Sequence, residues 1–235
     1  MKVMIVGHTY TAAINRQKIR EMAKQAEVLL LAPKKSTEDL LNVNTREKNS
    51  GFKLVLDDCY LNPAGKGHFI LYKELARCIK KFKPDVIQVD AEPFFLSLLQ
   101  ASLAKPKNSK LVFFTWQNVY RKTFLHSLVN PIEKFNFGKS NLAIAGNKAG
   151  EKVLREKGYE KKIAILPQLG VDENRFKRKD ASKLREKLGL KGFVVGFAGR
   201  FLEEKGLLLL LDALVQTGGN WNLLLVGKGP LEEKI

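Results

Sequence analysis

The chain has 235 residues, 45% of them hydrophobic, which is enough for one large domain or two modest domains with buried cores. Its 41 Lys and Arg residues against 24 Asp and Glu residues give a formal net charge of +17, which favours anionic partners without identifying one. The spacing of Cys59 and Cys78 indicates neither a zinc site nor a disulfide framework, and no apolar run has the length of a signal peptide or a transmembrane helix.

Short β-branched runs alternate with helical patterns from the first residues onward, which predicts a doubly wound parallel sheet covered by helices. Pro84 breaks one helix, and Pro93 opens the next because a proline in the first turn of a helix costs no hydrogen bond. The predicted elements are, in chain order, strand 2–6, helix 13–26, strand 28–31, strand 52–56, helix 71–82, strand 85–89, helix 94–103, strand 111–114, strand 142–145, helix 147–157 and strand 163–166.

The pattern becomes charged and mostly polar after this first domain, which covers residues 1–170 and supplies the acceptor side in the interpretation given below. We place a linker at 171–191, with one short helix over 181–188. The pattern then starts a second α/β domain at 192–235, which is incomplete. Its predicted elements are strand 193–198, helix 206–215, strand 223–226 and the first turns of a helix over 230–235.

The sequence GFAGRFLEEKG, at residues 196–206, joins a predicted strand to a predicted helix. The first amide groups of a helix are unpaired, so an anion placed there meets donors and a favourable dipole. Gly199 allows the backbone to approach a ligand, Arg200 offers a bidentate fork to phosphate oxygens, and Lys205 adds a second positive charge. The loop therefore suits a diphosphate. The alternative is that both cations are solvated and pair with the two glutamates between them.

Several segments together resemble group 1 (family 4) glycosyltransferases, the retaining enzymes of the GT-B fold. The resemblance covers nearly all 235 residues, and the combination is far more specific than any one segment. The segments are GHTYTAAINRQK, DVIQVDAEPFFLSLLQA, FFTWQN, ILPQLGVDENRF, VVGFAGRFLEEKGLLLLLDAL and NWNLLLVGKGPLEEKI. The resemblance implies a Rossmann-like first domain and the start of a second Rossmann-like domain.

The resemblance implies that the protein transfers a sugar from a nucleotide-sugar, with retention of configuration. The nucleotide-sugar is expected to bind between two such domains. The resemblance assigns the donor diphosphate to Gly199, Arg200, Lys205 and Gly227, with Arg200 and Lys205 as catalytic groups. Fixed positive charges stabilise the negative charge that grows on the leaving phosphate more than they stabilise the ground state. No metal and no cofactor is then expected.

The acceptor is expected at the carboxyl ends of the first domain's strands, because open α/β sheets bind ligands at that edge. The polar residues that follow predicted strands there are His8, Thr9, Glu92, Gln117, Asn118 and Asn147. Each also has an ordinary structural role open to it, such as a helix cap at Asn147 or a charge at a helix start at Glu92. We expect Trp116 to pack rather than to stack on a ligand.

Departures from the family pattern bear on both sites. The first loop lacks the glycine pair of many relatives, and Gln117 stands where many carry a histidine. The family's paired glutamates, which contact the donor sugar and the ribose, are expected beyond Ile235. The chain is then either part of a longer enzyme or a short form completed by a partner chain or by oligomerisation.

Two other functions stay open at this stage. The protein is alternatively a non-catalytic acceptor-binding or membrane-docking subunit, or a nucleic-acid-binding protein. Specific nucleic-acid binding is not expected, because the sequence contains no known motif for reading nucleic acid. The acceptor is unknown, with a lipid-linked or envelope glycan as the family's usual kind. Residues 118–125 mix cations with aromatics, and we expect a cytoplasmic protein with peripheral contact to the inner face of the membrane.

Overall fold

A computed structural model describes residues 1–35, 51–62, 67–120 and 124–235, with the side chains of 124–129 outside the description. The chain forms two compact units, Met1–Val171 and Asp172–Ile235. The predicted linker at 171–191 stays a prediction. Most of the predicted membrane-contact segment 118–125 lies outside the described residues or their described side chains.

Unit 1 is built on a parallel sheet of seven strands in the order β3-β2-β1-β4-β5-β6-β7. This confirms the predicted Rossmann-like doubly wound fold. The strands are β1 (Lys2–Val6), β2 (Glu27–Pro33), β3 (Lys53–Asp57), β4 (Val86–Asp90), β5 (Lys110–Thr115), β6 (Leu142–Ala145) and β7 (Ile163–Ile165).

The strand order reverses between β1 and β4, which pair directly with Val3 opposite Val86. The chain moves outward from β1 to β2 and β3, then crosses back to β4 and continues in the other direction. In doubly wound sheets the loops at such a reversal separate and leave a crevice at the carboxyl ends of the strands. The loops after β1 and β4 therefore occupy the position where this fold binds ligands.

Alternate residues of β1 face two different cores, as the period of a strand requires. Val3 and Ile5 pack with Ile19 of helix α1 (Gln17–Ala23) on one face. Met4 and Val6 pack on the other face with four further helices. These are α2 (Leu75–Phe82), α3 (Leu96–Ala104), α4 (Phe124–Lys139) and α5 (Lys148–Glu156).

Helix α4 is the main element that the sequence pattern did not predict. It contains Pro131 within its first half, and a proline inside a helix usually breaks the pattern. Glu133 and Asn136 are 1% and 0% exposed, so polar side chains occupy inward positions where the pattern requires apolar ones. The Asn136 amide donates to the Pro93 carbonyl oxygen at 2.8 Å, which ties the helix to the start of α3.

Unit 2 contains two parallel strands, β8 (Phe193–Ala198) and β9 (Trp221–Val226). Helix α6 (Ser182–Lys187) precedes them, and α7 (Leu207–Thr217) connects them. A small core of Phe201, Leu207 and Leu231 joins the loop after β8 to α7 and to the segment after β9. The predicted terminal helix is a 3₁₀ turn, Glu232–Lys234.

Candidate functional site

The predicted acceptor residues all lie at the carboxyl edge of the unit 1 sheet. His8 and Thr9 belong to a 3₁₀ turn, His8–Thr11, directly after β1. The others follow β4, β5 and β6, which lie side by side next to β1. The structure thus places these residues on neighbouring loops, but it gives several of their side chains internal partners.

Glu92 stabilises the loop after β5 through hydrogen bonds. Its carboxylate accepts hydrogen bonds from the Thr115 hydroxyl, from the Trp116 N–H at 2.8 Å and from the Gln117 N–H. Burial raises the pKa of Glu92 above its ordinary value of 4.5, although these hydrogen bonds and the charge of Lys157 act in the opposite direction. A side chain engaged in this way positions a loop, so the structure gives Glu92 an internal role.

Gln117 also points into the protein. Its Oε1 accepts a hydrogen bond from Lys157 Nζ at 2.6 Å, and the same ammonium lies 2.5 Å from a Glu133 carboxylate oxygen. Both members of this ion pair have side chains only 1% exposed. Nζ also lies over the rings of Phe94 and Tyr120, at 5.7 and 5.6 Å from their centroids. Removing either charge of such a buried pair would leave the other without compensation, which strongly destabilises the folded protein.

Two asparagines have different surroundings. Asn147 is the N-cap of α5, and its Oδ1 accepts from the Gly150 N–H at 2.9 Å. This is the ordinary capping role that the sequence allowed. Asn118 is exposed, and its side chain stays a predicted acceptor contact.

The carbonyl oxygen of Thr9 accepts a hydrogen bond from the Asn15 side-chain amide at 2.7 Å, which closes the loop after β1.

A buried carboxylate, Asp90, is the polar centre that sequence reasoning missed. Its oxygens accept from the Tyr10 hydroxyl, Lys18 Nζ at 2.9 Å, Gln168 Nε2 at 3.1 Å and Gln88 Nε2 at 2.7 Å. These donors come from the first loop, from α1, from β4 itself and from the segment after β7. Burial, followed by the charge of Asp90, raises the pKa of Tyr10. Asp90 therefore connects four separate parts of unit 1.

Trp116 extends this network toward the surface. Its indole Nε1 donates to Gln168 Oε1, and its ring meets Phe114 edge to face at 5.2 Å between centroids. The ring also covers Gly146, where an added Cβ would lie 2.9 Å from it. Trp116 is nevertheless 48% exposed. The expectation that it packs agrees with these contacts.

In unit 2, the loop after β8 is attached along its backbone to the loop after β9. Gly199 N donates to the Val226 carbonyl at 2.9 Å, Phe201 N to that of Lys228 at 2.9 Å, and Leu231 N to that of Phe201 at 3.2 Å. A Cβ on Gly227 would overlap the carbonyl oxygen of Gly199. Gly227 therefore supports the loop through its backbone, because only glycine permits this approach.

Arg200 and Lys205 lie at the two ends of this loop. The guanidinium of Arg200 is 3.9 Å from Glu204, and the ammonium of Lys205 is 4.0 Å from the same carboxylate. All three side chains are about half exposed, so these long ion pairs contribute only about 0–1 kcal/mol each. Gly206 follows in the left-handed conformation (φ +70°), and α7 begins at the next residue. An anion at the Lys205 ammonium thus competes with a weak ion pair.

A pocket of about 490 Å³ lies beside the middle of this loop, and its lining consists of Leu202, Glu203, Glu204, Pro230, Leu231 and Lys234. Its lining includes neither Arg200 nor Lys205. Across the described ranges, His, Cys, Asp and Glu side chains form no group of three suited to a metal ion. None of the helices in those ranges has the length and apolar character that crossing a membrane requires.

Neither a protein-family model nor a curated protein sequence matches the chain. Solved structures do. Over its full length the chain is similar to Anabaena Alr3699/HepE in complex with UDP, with 20% identity and a TM-score of 0.72, covering 63% of that chain. A glycosyltransferase from Rickettsia africae ESF-5 matches 99% of the chain at 16% identity and TM-score 0.60, over 61% of its own length.

A UDP-N-acetylglucosamine 2-epimerase from Rickettsia bellii is also similar, with 18% identity, a TM-score of 0.54, and coverage of 100% of this chain and 63% of that one. Likeness at these identities shows the fold. The chain has the Rossmann-like fold of GT-B glycosyltransferases, which the epimerase shares, and it spans about 63% of the length of the HepE chain.

Proposed function

We propose that the protein transfers a sugar from a nucleotide-sugar to an acceptor with retention of configuration, as a glycosyltransferase of family 4. The single observation that carries this proposal is the loop at 199–206. It has Arg200 and Lys205 at its ends, is attached to the loop after β9, and leads directly into the N-terminus of α7. The resemblance of the sequence to that family and the fold shared with glycosyltransferases support it.

The loop supplies two kinds of positive potential to a diphosphate. Arg200 and Lys205 carry full charges, while the first N–H groups of α7 carry the partial charge of an 11-residue helix. As the bond between sugar and phosphate breaks, negative charge grows on the leaving diphosphate. Groups already held in place stabilise that charge without reorganisation, and this lowers the barrier to transfer.

Gly199 and Gly227 serve the same site differently from the two cations. Gly199 donates its N–H to Val226, and its carbonyl lies against Gly227. These contacts keep the start of the loop in place, which sets the position of Arg200. No metal ion is required in this proposal, because the cations and the helix terminus neutralise the diphosphate. The nucleotide-sugar is the donor substrate, and the proposal needs no cofactor.

The acceptor binds at the carboxyl edge of unit 1. Glu92, Gln117 and Asn147 have internal partners, so we assign them to positioning the loops. His8, Thr9 and Asn118 are partly or fully exposed at that edge, so they are the predicted residues best placed to touch the acceptor. Trp116, which is 48% exposed, lies on the same loop as Asn118, after β5.

An assay of nucleotide release tests the proposal directly. The protein is incubated with UDP-glucose, UDP-galactose, UDP-N-acetylglucosamine and GDP-mannose, each with methyl glycosides as trial acceptors, with and without EDTA, and NMR follows the anomeric proton of the new glycosidic bond. We expect release of nucleoside diphosphate from at least one donor, a product with the donor's anomeric configuration, and no effect of EDTA. An inverted product would exclude retention.

An epimerase is the second candidate, because the Rickettsia bellii 2-epimerase shares the fold. The same NMR spectra separate the two functions. Epimerisation of UDP-N-acetylglucosamine would produce a second sugar epimer, whereas transfer or hydrolysis releases UDP. Absence of both reactions in a protein that binds the donor would favour the non-catalytic subunit.

A further inference from the structure

Five ring side chains at the reversal between β1 and β4 form what we call the ring cluster: His8, His68, Phe69, Phe94 and Phe95. The geometry points to the ring cluster as a binding site for a saccharide, which would make the acceptor a glycan. This inference rests on the proposed function for the acceptor role, although binding of a saccharide is measurable without any donor.

The position of the ring cluster is the first argument. His8 follows β1, and Phe94 and Phe95 lie between β4 and α3. These two strands are neighbours at the point where the strand order reverses, which is the usual ligand-binding position of the fold. The 3₁₀ turn Gly67–Phe69 brings His68 and Phe69 to the same place, since this turn packs against α3.

The rings lie close together but are not stacked on one another. The His8 and Phe95 centroids are 6.2 Å apart, those of His68 and Phe95 6.0 Å, and those of His68 and Phe69 4.3 Å. Phe94 and Phe95 meet edge to face at 5.2 Å. The planes of these pairs are tilted by 40° to 69°, so the rings present both faces and edges.

Exposure distinguishes the ring cluster from the aromatic packing inside unit 1. Phe69 is 43% exposed, and the other four rings are partly exposed. Phe95 packs against the core of unit 1 with part of its ring, whereas Phe113, Phe137 and Tyr159 are buried in that core, with centroid distances of 5.0 to 6.0 Å. Rings that serve only the core resemble this second group, and the first group leaves apolar surface available to a ligand.

The chemistry of the five rings fits a saccharide. Phenyl rings offer apolar surface for the C–H faces of a pyranose, and each imidazole can donate and accept hydrogen bonds to hydroxyl groups. Binding sites for small molecules commonly combine apolar walls with a few such polar groups. An alkyl chain has no groups that could form hydrogen bonds with two imidazoles. A flat nucleobase would stack best on parallel rings, and these rings are tilted.

Two members of the ring cluster, Phe94 and His8, also have contacts with neighbouring parts of unit 1. Lys157, in its buried ion pair with Glu133, lies 5.7 Å from the centroid of Phe94. A Cβ on Gly67 would lie 3.3 Å from His8 Nε2, so the turn that carries His68 is in contact with the first loop. These contacts restrict Phe94 and His8 before a ligand arrives, which lowers the entropy lost on binding.

Histidine NMR tests the inference with the protein alone. The chain has three histidines, at positions 8, 68 and 126, and three single His→Gln variants assign their imidazole signals. The probes are methyl glucoside, methyl galactoside, methyl N-acetylglucosaminide and cellobiose, with decanoate as an alkyl-chain probe. We expect at least one sugar to shift the His8 and His68 signals in a saturable way and decanoate not to shift them.

Phe69→Ala supplies the second measurement, with Phe176→Ala as its control because Phe176 is an exposed phenylalanine of unit 2. Loss of one aromatic contact should weaken sugar binding by about two- to tenfold in Phe69→Ala and leave it unchanged in Phe176→Ala. No shift with any sugar, a shift of both signals by decanoate alone, or equal weakening in the two variants would overturn the inference.

Failure of the inference and failure of the proposed function give different results. If the protein releases UDP from a donor but no sugar shifts the two histidines, the ring cluster is not a saccharide site and the proposed function stands. If sugars bind at the ring cluster while no donor is bound or cleaved, the site exists and the proposed function is wrong.

Discussion

Gly227 and Gly199 touch through their backbones, so closely that a Cβ on Gly227 would overlap the Gly199 carbonyl oxygen. This contact determines where the loop carrying Arg200 and Lys205 begins. Gly227 has φ +158° and its position is closed to any side chain, whereas Gly196, in the adjoining strand β8, has nothing within 4 Å of its Cβ position. The two glycines therefore make a matched pair for substitution.

Gly227→Ala should destabilise unit 2 by about 1–3 kcal/mol, as overpacking does in well-packed sites, and Gly196→Ala should have a much smaller effect. Trp221 lies in unit 2 and Trp116 in unit 1, so urea unfolding followed by Trp221 fluorescence in a Trp116→Phe background reports on unit 2. Equal stability losses for the two variants would contradict the supporting role of Gly227.

The buried ion pair of Lys157 and Glu133 should be strongly coupled. Lys157→Met leaves the Glu133 carboxylate without its partner at 1% exposure, and we expect a loss of about 3–5 kcal/mol in the free energy of unfolding. Adding Glu133→Gln should restore much of that loss. The control is Lys152→Met in α5, the helix that Lys157 directly follows; the Lys152 side chain is 79% exposed and its ammonium lies 3.9 Å from Glu156. Additive losses in the double variant would contradict the coupling.

Glu92 should make stability depend on pH in a particular direction. Burial raises its pKa in the folded protein above the ordinary 4.5, so the folded state binds more protons than the unfolded state between these two values. The contribution of Glu92 is therefore fully present below about pH 4.5 and declines as pH rises through the folded pKa.

Unfolding of the wild-type protein and of Glu92→Gln, each measured from pH 4 to pH 7, isolates this contribution. We expect the stability of the wild type relative to the variant to fall as pH rises. A constant difference would show that the hydrogen bonds and the charge of Lys157 balance the burial of the carboxyl group, and a difference that grows with pH would show that they outweigh it.

Gln168 links Asp90 to Trp116, so replacing it should affect both the stability of the protein and the surroundings of the indole ring. Gln168→Leu removes the acceptor of the indole N–H and one donor to the buried carboxylate, and we expect about 1–3 kcal/mol of destabilisation. The emission of Trp116, observed in a Trp221→Phe background, should also change. Gln25→Leu, at an exposed position of unit 1, is the control and should change neither quantity.

The sheet could be predicted from the sequence because apolar runs alone define most parallel strands. Strands β1, β6 and β8 have the predicted bounds. Helix α4 could not, since Pro131, Glu133 and Asn136 break its apolar pattern, and their partners lie far along the chain. Local pattern carries no information about such partners.

The candidate site shows the same division. Strand ends located His8, Glu92 and Gln117 at one edge of the sheet, but only the structure shows that Glu92 and Gln117 have internal partners. Asp90 is the last residue of a strand that the pattern ended at residue 89. His68 lies outside every predicted element, so its approach to His8 and Phe95 depends on tertiary packing alone.

The most direct test of the central claim is calorimetric titration of the protein with UDP, repeated on the double variant Arg200→Ala with Lys205→Ala. The matched control is Lys183→Ala with Lys187→Ala on α6, which removes the same charge from exposed positions of unit 2. We predict saturable binding that weakens at least about tenfold, or about 1.4 kcal/mol, in the first double variant and stays close to wild type in the control. Equal affinity in the wild type and both double variants would contradict the account, because the loop at 199–206 would then not hold the diphosphate.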